Sequence, residues 1–166
     1  MSEAKNLSFD WAFWYKWIMA TTLGWVLGSL LFPGLGPLLA GFAIGVLQWL
    51  VLQQRLTRPW TWILATAIGW AAGWAINLFL SPGNLDLIGS MVIGVTTGIG
   101  QWLVLRRAVY WSAWWVVINV VGWTTGLTLL PGVILTGVMA GVVTGFALEL
   151  LLRYPKPHRE NVQDEI

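Results

Sequence analysis

Cysteine is absent from the 166-residue chain. That excludes disulfides, thiolate metal sites, iron–sulfur clusters and cysteine nucleophiles. The single histidine, His158, stands in a polar tail, so a buried histidine-ligated haem or zinc has no ligands. Charge is scarce as well. Only 10% of residues are Asp, Glu, Lys or Arg, against about 25% in a soluble domain. A water-soluble globule is thereby excluded. No glycine run is followed by Lys-Ser or Lys-Thr, which removes a phosphate loop. No nucleophile–base pair, carboxylate dyad, metal-ligand spacing or cofactor fingerprint is present, so the expectation is a protein without catalysis and without a cofactor.

What remains is apolar. Hydrophobic residues make up 57% of the chain, with 14 tryptophans and 19 glycines, and mean hydropathy is +0.72. A membrane-crossing helix needs about 20 mainly apolar residues. Six segments meet this, at 11–32, 38–52, 60–80, 87–105, 110–130 and 133–152, the second being the shortest. Turn residues separate them at Pro33-Gly34-Leu35-Gly36-Pro37, Ser81-Pro82-Gly83-Asn84 and Pro131-Gly132. Charge marks the other two breaks, Arg55 through Arg58-Pro59 and Arg106-Arg107. The expected organisation is a polar tail over 1–10, one transmembrane domain over 11–153 and a second polar tail over 154–166. The N-terminal residues are polar and mixed in charge, unlike a cleavable signal peptide. Asp86, or Asn84, is placed to cap the fourth span.

Lys5, Lys16, Arg55, Arg58, Arg106, Arg107, Arg153, Lys156 and Arg159 are all the basic residues, and in a six-span topology all fall on one side. The opposite side carries only Asp86. The positive-inside rule then predicts that both termini are cytoplasmic, in a plasma or thylakoid membrane. The sequence pI near 9.3 follows from this topology. Nine basic residues spread over short segments make no nucleic-acid surface; attraction to anionic lipid headgroups is the expected consequence.

The chain repeats internally. Trp17-Ile-Met-Ala-Thr-Thr-Leu-Gly24-Trp25-Val-Leu-Gly28 aligns with the segment from Trp62 through Gly69-Trp70 to Gly73, and with that from Trp115 through Gly122-Trp123 to Gly126. The second half of the unit runs from Gly41 and Gly45 to Gln48-Trp49-Leu-Val-Leu. It recurs from Gly94 and Gly98 to Gln101-Trp102-Leu-Val-Leu, and drifts to Gly141, Gly145 and Leu148-Glu149 in the third copy. The expected fold is therefore all-α: an integral membrane bundle of six transmembrane helices built from three parallel two-helix repeats, over about 11–56, 59–107 and 110–153. Each span holds a Gly-x-x-x-Gly pair. Gly24 and Gly28, Gly41 and Gly45, Gly69 and Gly73, Gly94 and Gly98, Gly122 and Gly126, and Gly141 and Gly145 are read as packing seams.

Polar residues share these seams. Thr21 lies five residues inward from Lys16 and Gln48 seven inward from Arg55, so both sit roughly 8–10 Å from the basic boundary at ~1.5 Å per residue. Gln48–Thr21 and Gln101–Thr66 are expected as structural clasps between helices. Where the third copy has Leu148, the partner position is Asn119, as if the amide had changed helices. Gln48, Gln101 and Asn119 are also the candidates for pigment ligation or a solute path, the less favoured reading. Glu149 is the one carboxylate within a span, and an interfacial ion pair with Arg153, four residues later, is the expected account. Trp11, Trp14, Trp17, Trp60, Trp62, Trp111, Trp114 and Trp115 read as a one-sided interfacial belt. Trp25, Trp70, Trp74 and Trp123 lie deeper, and pack or stack on a flat ligand.

The signature G-W-x-x-G followed by G-x-x-x-G-x-x-Q-W-L-V-L, over about 17–153, resembles an uncharacterised family of small multi-pass membrane proteins of cyanobacteria and related phototrophs. The resemblance implies a plasma-membrane or thylakoid location and no biochemical role. The functions to weigh are a scaffold, accessory or assembly partner of a membrane complex, a small-solute transporter with its path between the repeats, and a pigment- or lipid-binding protein. The expected partners are membrane lipids and a complex partner or second copy.

Overall fold

The computed structural model describes residues 8–31, 36–81, 85–129 and 132–156. They form α1 (Trp11–Leu31), α2 (Gly36–Leu52), α3 (Thr61–Leu80), α4 (Leu87–Leu105), α5 (Trp114–Thr124) and α6 (Val133–Leu152), with a π-helical turn, Thr125–Leu129, continuing α5. No strand occurs among the described residues; Val109 and Pro155 make an isolated antiparallel bridge. Most of the expected turn residues, with Asn84 and His158, lie outside the described residues.

Three helices, Thr61–Leu80, Leu87–Leu105 and Val133–Leu152, are long and apolar enough to cross a membrane. The 21-residue α1 is long but opens with Trp11, Trp14, Tyr15, Lys16 and Trp17, which lower its hydropathy. Leu39–Leu52 and Trp114–Leu129 are shorter apolar helices. The fifth helix begins later than position 110. Residues 110–113 turn instead, and the Trp111 and Ser112 carbonyls accept the first α5 bonds, from Trp114 N at 3.1 Å and Trp115 N at 3.0 Å.

The helices form a closed ring. Each packs on its neighbours in chain order, and α6 returns to α1. Neighbours run antiparallel. The Gly24 backbone abuts Ile44 and Gly28 abuts Ala40, while Gly69 abuts Thr96–Thr97 and Gly73 abuts Ile93. A Cβ on Gly28 would fall 2.2 Å from the Ala40 Cα, and one on Gly69 2.7 Å from the Thr96 carbonyl oxygen. Only a residue without a Cβ fits at these approaches.

Polarity is inverted relative to a water-soluble bundle, where the apolar face turns inward. The buried face of α3 carries Trp62, Thr66, Gly69, Trp70, Gly73 and Asn77, whereas Leu64, Ile68, Ile76 and Phe79 point outward. On α4, Ser90, Thr97 and Gln101 are buried while Ile88, Ile99 and Leu103 are exposed. An aliphatic exterior around a glycine, threonine and tryptophan interior is the pattern of a membrane-associated bundle, in which lipid supplies no force to draw aliphatic side chains inward.

Candidate functional site

Two layers of tryptophan fill the ring. Trp17, Trp62 and Trp115, from α1, α3 and α5, are fully buried and meet at ring-centroid distances of 5.8, 5.9 and 6.3 Å, with interplanar angles from 56° to 77°. Leu52, Leu105 and Leu148 pack against them. Deeper, Trp25, Trp70 and Trp123 meet at 4.6 to 6.0 Å, with Ala40, Ile93 and Ala140 around them. Edge-on contacts at these distances match the positive rim of one indole to the negative face of another.

This corrects the expected belt. Trp11, Trp60, Trp111 and Trp114 are exposed, at 56% to 68%, as belt residues should be. Trp17, Trp62 and Trp115 occupy the same depth but point to the axis. The deeper trio closes on itself, each ring meeting the other two.

A polar network lies beside the first layer. Gln48 Nε2 donates to Thr21 Oγ1 at 2.9 Å, and Gln48 Oε1 accepts from Trp62 Nε1 at 2.9 Å. Gln101 repeats the pattern, donating to Thr66 Oγ1 at 2.8 Å and accepting from Trp115 Nε1 at 2.9 Å. Gln101 Nε2 also reaches Gln48 Oε1 at 3.4 Å. Thr66 Oγ1 passes its own proton to the Trp62 carbonyl at 2.8 Å. One connected set of bonds thus crosses α1 through α5. Both amides are nearly inaccessible, at 3% and 2% exposure, and each amide oxygen already accepts an indole N–H.

The third sector departs from the expected amide exchange. Asn119 Nδ2 donates to the Trp115 carbonyl of its own helix at 3.0 Å, and among the described residues it makes no bond to α6. The indole there is received by a residue the clasp pattern did not include: Trp17 Nε1 donates to Thr144 Oγ1 at 3.0 Å, and Thr144 donates to the Ala140 carbonyl at 2.6 Å. Thr144 lies one turn before Leu148. A glutamine at 148 would have met the indole directly; with leucine there, the donor finds the hydroxyl one turn deeper.

Glu149 is buried and engaged. It accepts from Arg153 Nη2 at 2.9 Å and from the Asp10 backbone N–H at 2.7 Å, so it ties the chain before α1 to α6. Asp10 also accepts the Phe13 N–H and pairs with Arg55. The Phe13 N–H, aided by the Arg55 charge, holds the Asp10 carboxyl below its ordinary range. At the other end, Asp86 caps α4 by accepting the Gly89 N–H at 2.8 Å and the Ser81 hydroxyl at 2.9 Å, which lowers its pKa likewise.

Other interior polar groups have no such partners. The indoles of Trp25 and Trp74 and the hydroxyls of Thr22, Thr97 and Thr124 find no acceptor or donor among the described residues. Among the described residues no three His, Asp or Glu side chains converge as metal ligands would. No family model, curated protein or solved structure matches the chain.

Proposed function

We propose that the chain is a six-span, non-catalytic membrane protein of three like-oriented hairpins, and that it serves as a rigid scaffold or accessory subunit of a membrane complex. In this reading the positive-inside rule puts both termini and the basic loops in the cytoplasm; the gathering of Arg55, Arg58, Arg106, Arg107 and Lys156 in one groove mouth, with Asp86 at the start of α4, supports it. The matching roles of Trp62 with Gln48 and of Trp115 with Gln101 support the reading of like-oriented repeats. The glycine contacts at Gly28, Gly69 and their counterparts support packing seams. The family resemblance adds a plasma or thylakoid membrane of a phototroph-type cell.

The carrying observation is the filled axis. The position where a solute path between three hairpins would run is occupied by two tryptophan layers, and the amides that would line it are bonded within the protein. The thermodynamic effort of this interior goes into fit, leaving the outer surface for recognition. The test is affinity purification from native membranes in mild detergent, followed by sizing and protein identification. A reproducible stoichiometric partner is expected. A monomer always recovered alone, together with solute flux in liposomes that Gln48→Leu abolishes, would overturn the proposal in favour of a transporter.

A further inference from the structure

An outward-facing groove of about 790 Å³ runs along the α3–α4 hairpin. Its floor is the place where the two backbones touch. A Cβ on Gly100 would lie 2.5 Å from the Ala65 carbonyl oxygen, and one on Gly69 2.7 Å from that of Thr96. Small residues on the floor leave a furrow, and the exposed side chains of Ile68, Ile99 and Leu103 form its rims. The furrow is dry in character. The Thr96 hydroxyl donates to the Val92 carbonyl of its own helix at 3.0 Å and Thr61 to the Arg58 carbonyl at 2.7 Å, so neither needs water.

Its mouth is cationic. The α2–α3 and α4–α5 loops both flank this hairpin, and they bring Arg55, Arg58, Arg106 and Arg107 to the mouth, with Lys156 from the segment after α6. Lys156 is fixed there by its backbone bond to the Ala108 carbonyl at 2.9 Å and by its Nζ bond to the Arg106 carbonyl at 2.5 Å. Arg55 is paired with Asp10. Arg58 and Arg107 are exposed and have no ion-pair partner among the described residues.

We propose that this groove holds one anionic phospholipid, its phosphate between Arg58 and Arg107 and one acyl chain along the Ala65–Gly69–Gly100 furrow. The proposal rests on the membrane-embedded reading above. Two features fit it together. Guanidinium groups match phosphate oxygens in charge and in fork geometry. From Arg106 to Thr96 the furrow runs about 15 Å at ~1.5 Å per residue, which is half of a hydrocarbon core about 30 Å thick, or one leaflet. A soluble phosphate would use the mouth and leave the furrow empty, and a neutral lipid would use the furrow and leave the arginines unpaired.

The test is native mass spectrometry of the full chain released from mild detergent, titrated with phosphatidylglycerol or phosphatidylcholine, for the wild type and for Arg58→Gln/Arg107→Gln. One retained phosphatidylglycerol is expected, with at least tenfold preference over phosphatidylcholine. The double variant should lose that preference at an unchanged melting temperature, since neither guanidinium makes an ion pair or hydrogen bond among the described residues. Equal retention of the two lipids, or full retention by the double variant, would overturn the site. Phosphatidylglycerol binding that appears only after the acidic segment beyond residue 156 is removed would assign the groove to the protein's own tail and overturn it as well. Alkaline carbonate washing separates the two levels: a chain released from membranes refutes the embedded reading, whereas an embedded chain without lipid preference refutes the lipid site alone.

Discussion

Trp62 donates its indole N–H from α3 to Gln48 Oε1 on α2 at 2.9 Å, and the same amide donates onward to Thr21 on α1. One side chain therefore joins three helices. Gln48→Leu, which reproduces the residue found naturally at position 148, strands the Trp62 donor and frees Thr21. The expected loss is about 2–4 kcal/mol, from two interhelical bonds at about 0.6 kcal/mol each and one buried donor left unpaired at about 1–3 kcal/mol. Reversible unfolding in mixed micelles measures it. Thr21→Val should cost less in the Gln48→Leu background than in the wild type, because the shared bond is already gone.

Gly28 and Gly122 should respond differently to alanine. A Cβ at Gly28 meets the Ala40 backbone at 2.2 Å, which cannot yield without parting α1 from α2. At Gly122 the nearest atom is the Thr144 Cγ2 at 3.2 Å, a side-chain methyl that needs to give only a few tenths of an ångström while the backbones stay apart. Gly28→Ala is expected to destabilise by about 1–3 kcal/mol, the usual cost of overpacking. Gly122→Ala should cost clearly less in the same unfolding assay.

The helices were legible in the sequence because proline, glycine and arginine interrupt the apolar runs. Depth was legible too, but direction around each helix was harder. Trp17, Trp62 and Trp115 lie at the height of an interfacial belt, and height alone groups them with Trp11, Trp60 and Trp114. The distinguishing signal was register: Trp62 shares one stripe with Thr66, Gly69 and Gly73, all buried. Thr144 was missed because the clasp was read as amide to hydroxyl, without the indole as donor. The π-helical turn after Thr124 left no such mark, and the cationic groove depends on how two loops and Lys156 fold together.

Acid should loosen both ends of the bundle. The Asp86 and Asp10 carboxyls are held below their ordinary value of 3.8, so each stabilises the fold fully above that pH. That contribution is lost as pH falls through the lower folded value, because the unfolded chain then takes up protons the folded chain resists. Thermal unfolding in detergent from pH 6 to pH 2.5, on a scale set by ordinary carboxylates near 4, should show a falling melting temperature at the acid end. Asp86→Asn should flatten that fall.

Glu149 on α6 holds the segment before α1 through the Asp10 N–H and pairs with Arg153 at the end of its own helix, and its variants separate the two. Glu149→Gln keeps an acceptor for the Asp10 N–H while losing the charge partner of Arg153. Glu149→Leu loses both. Hydrogen exchange at the Asp10 amide should rise in the order wild type, Gln, Leu, and equal exchange in all three would contradict the contact.

Six crossings with both ends on the basic side is the claim on which scaffold and lipid site both depend. A chain free of cysteine allows the direct measurement: single cysteines at Ser8, Thr57, Leu85 and Lys156, labelled in sealed oriented vesicles with a membrane-impermeant maleimide. Ser8→Cys, Thr57→Cys and Lys156→Cys should react from the cytoplasmic face and Leu85→Cys from the opposite one. Reaction of positions 8 and 156 from opposite faces, or of 85 from the same face as 57, would contradict it.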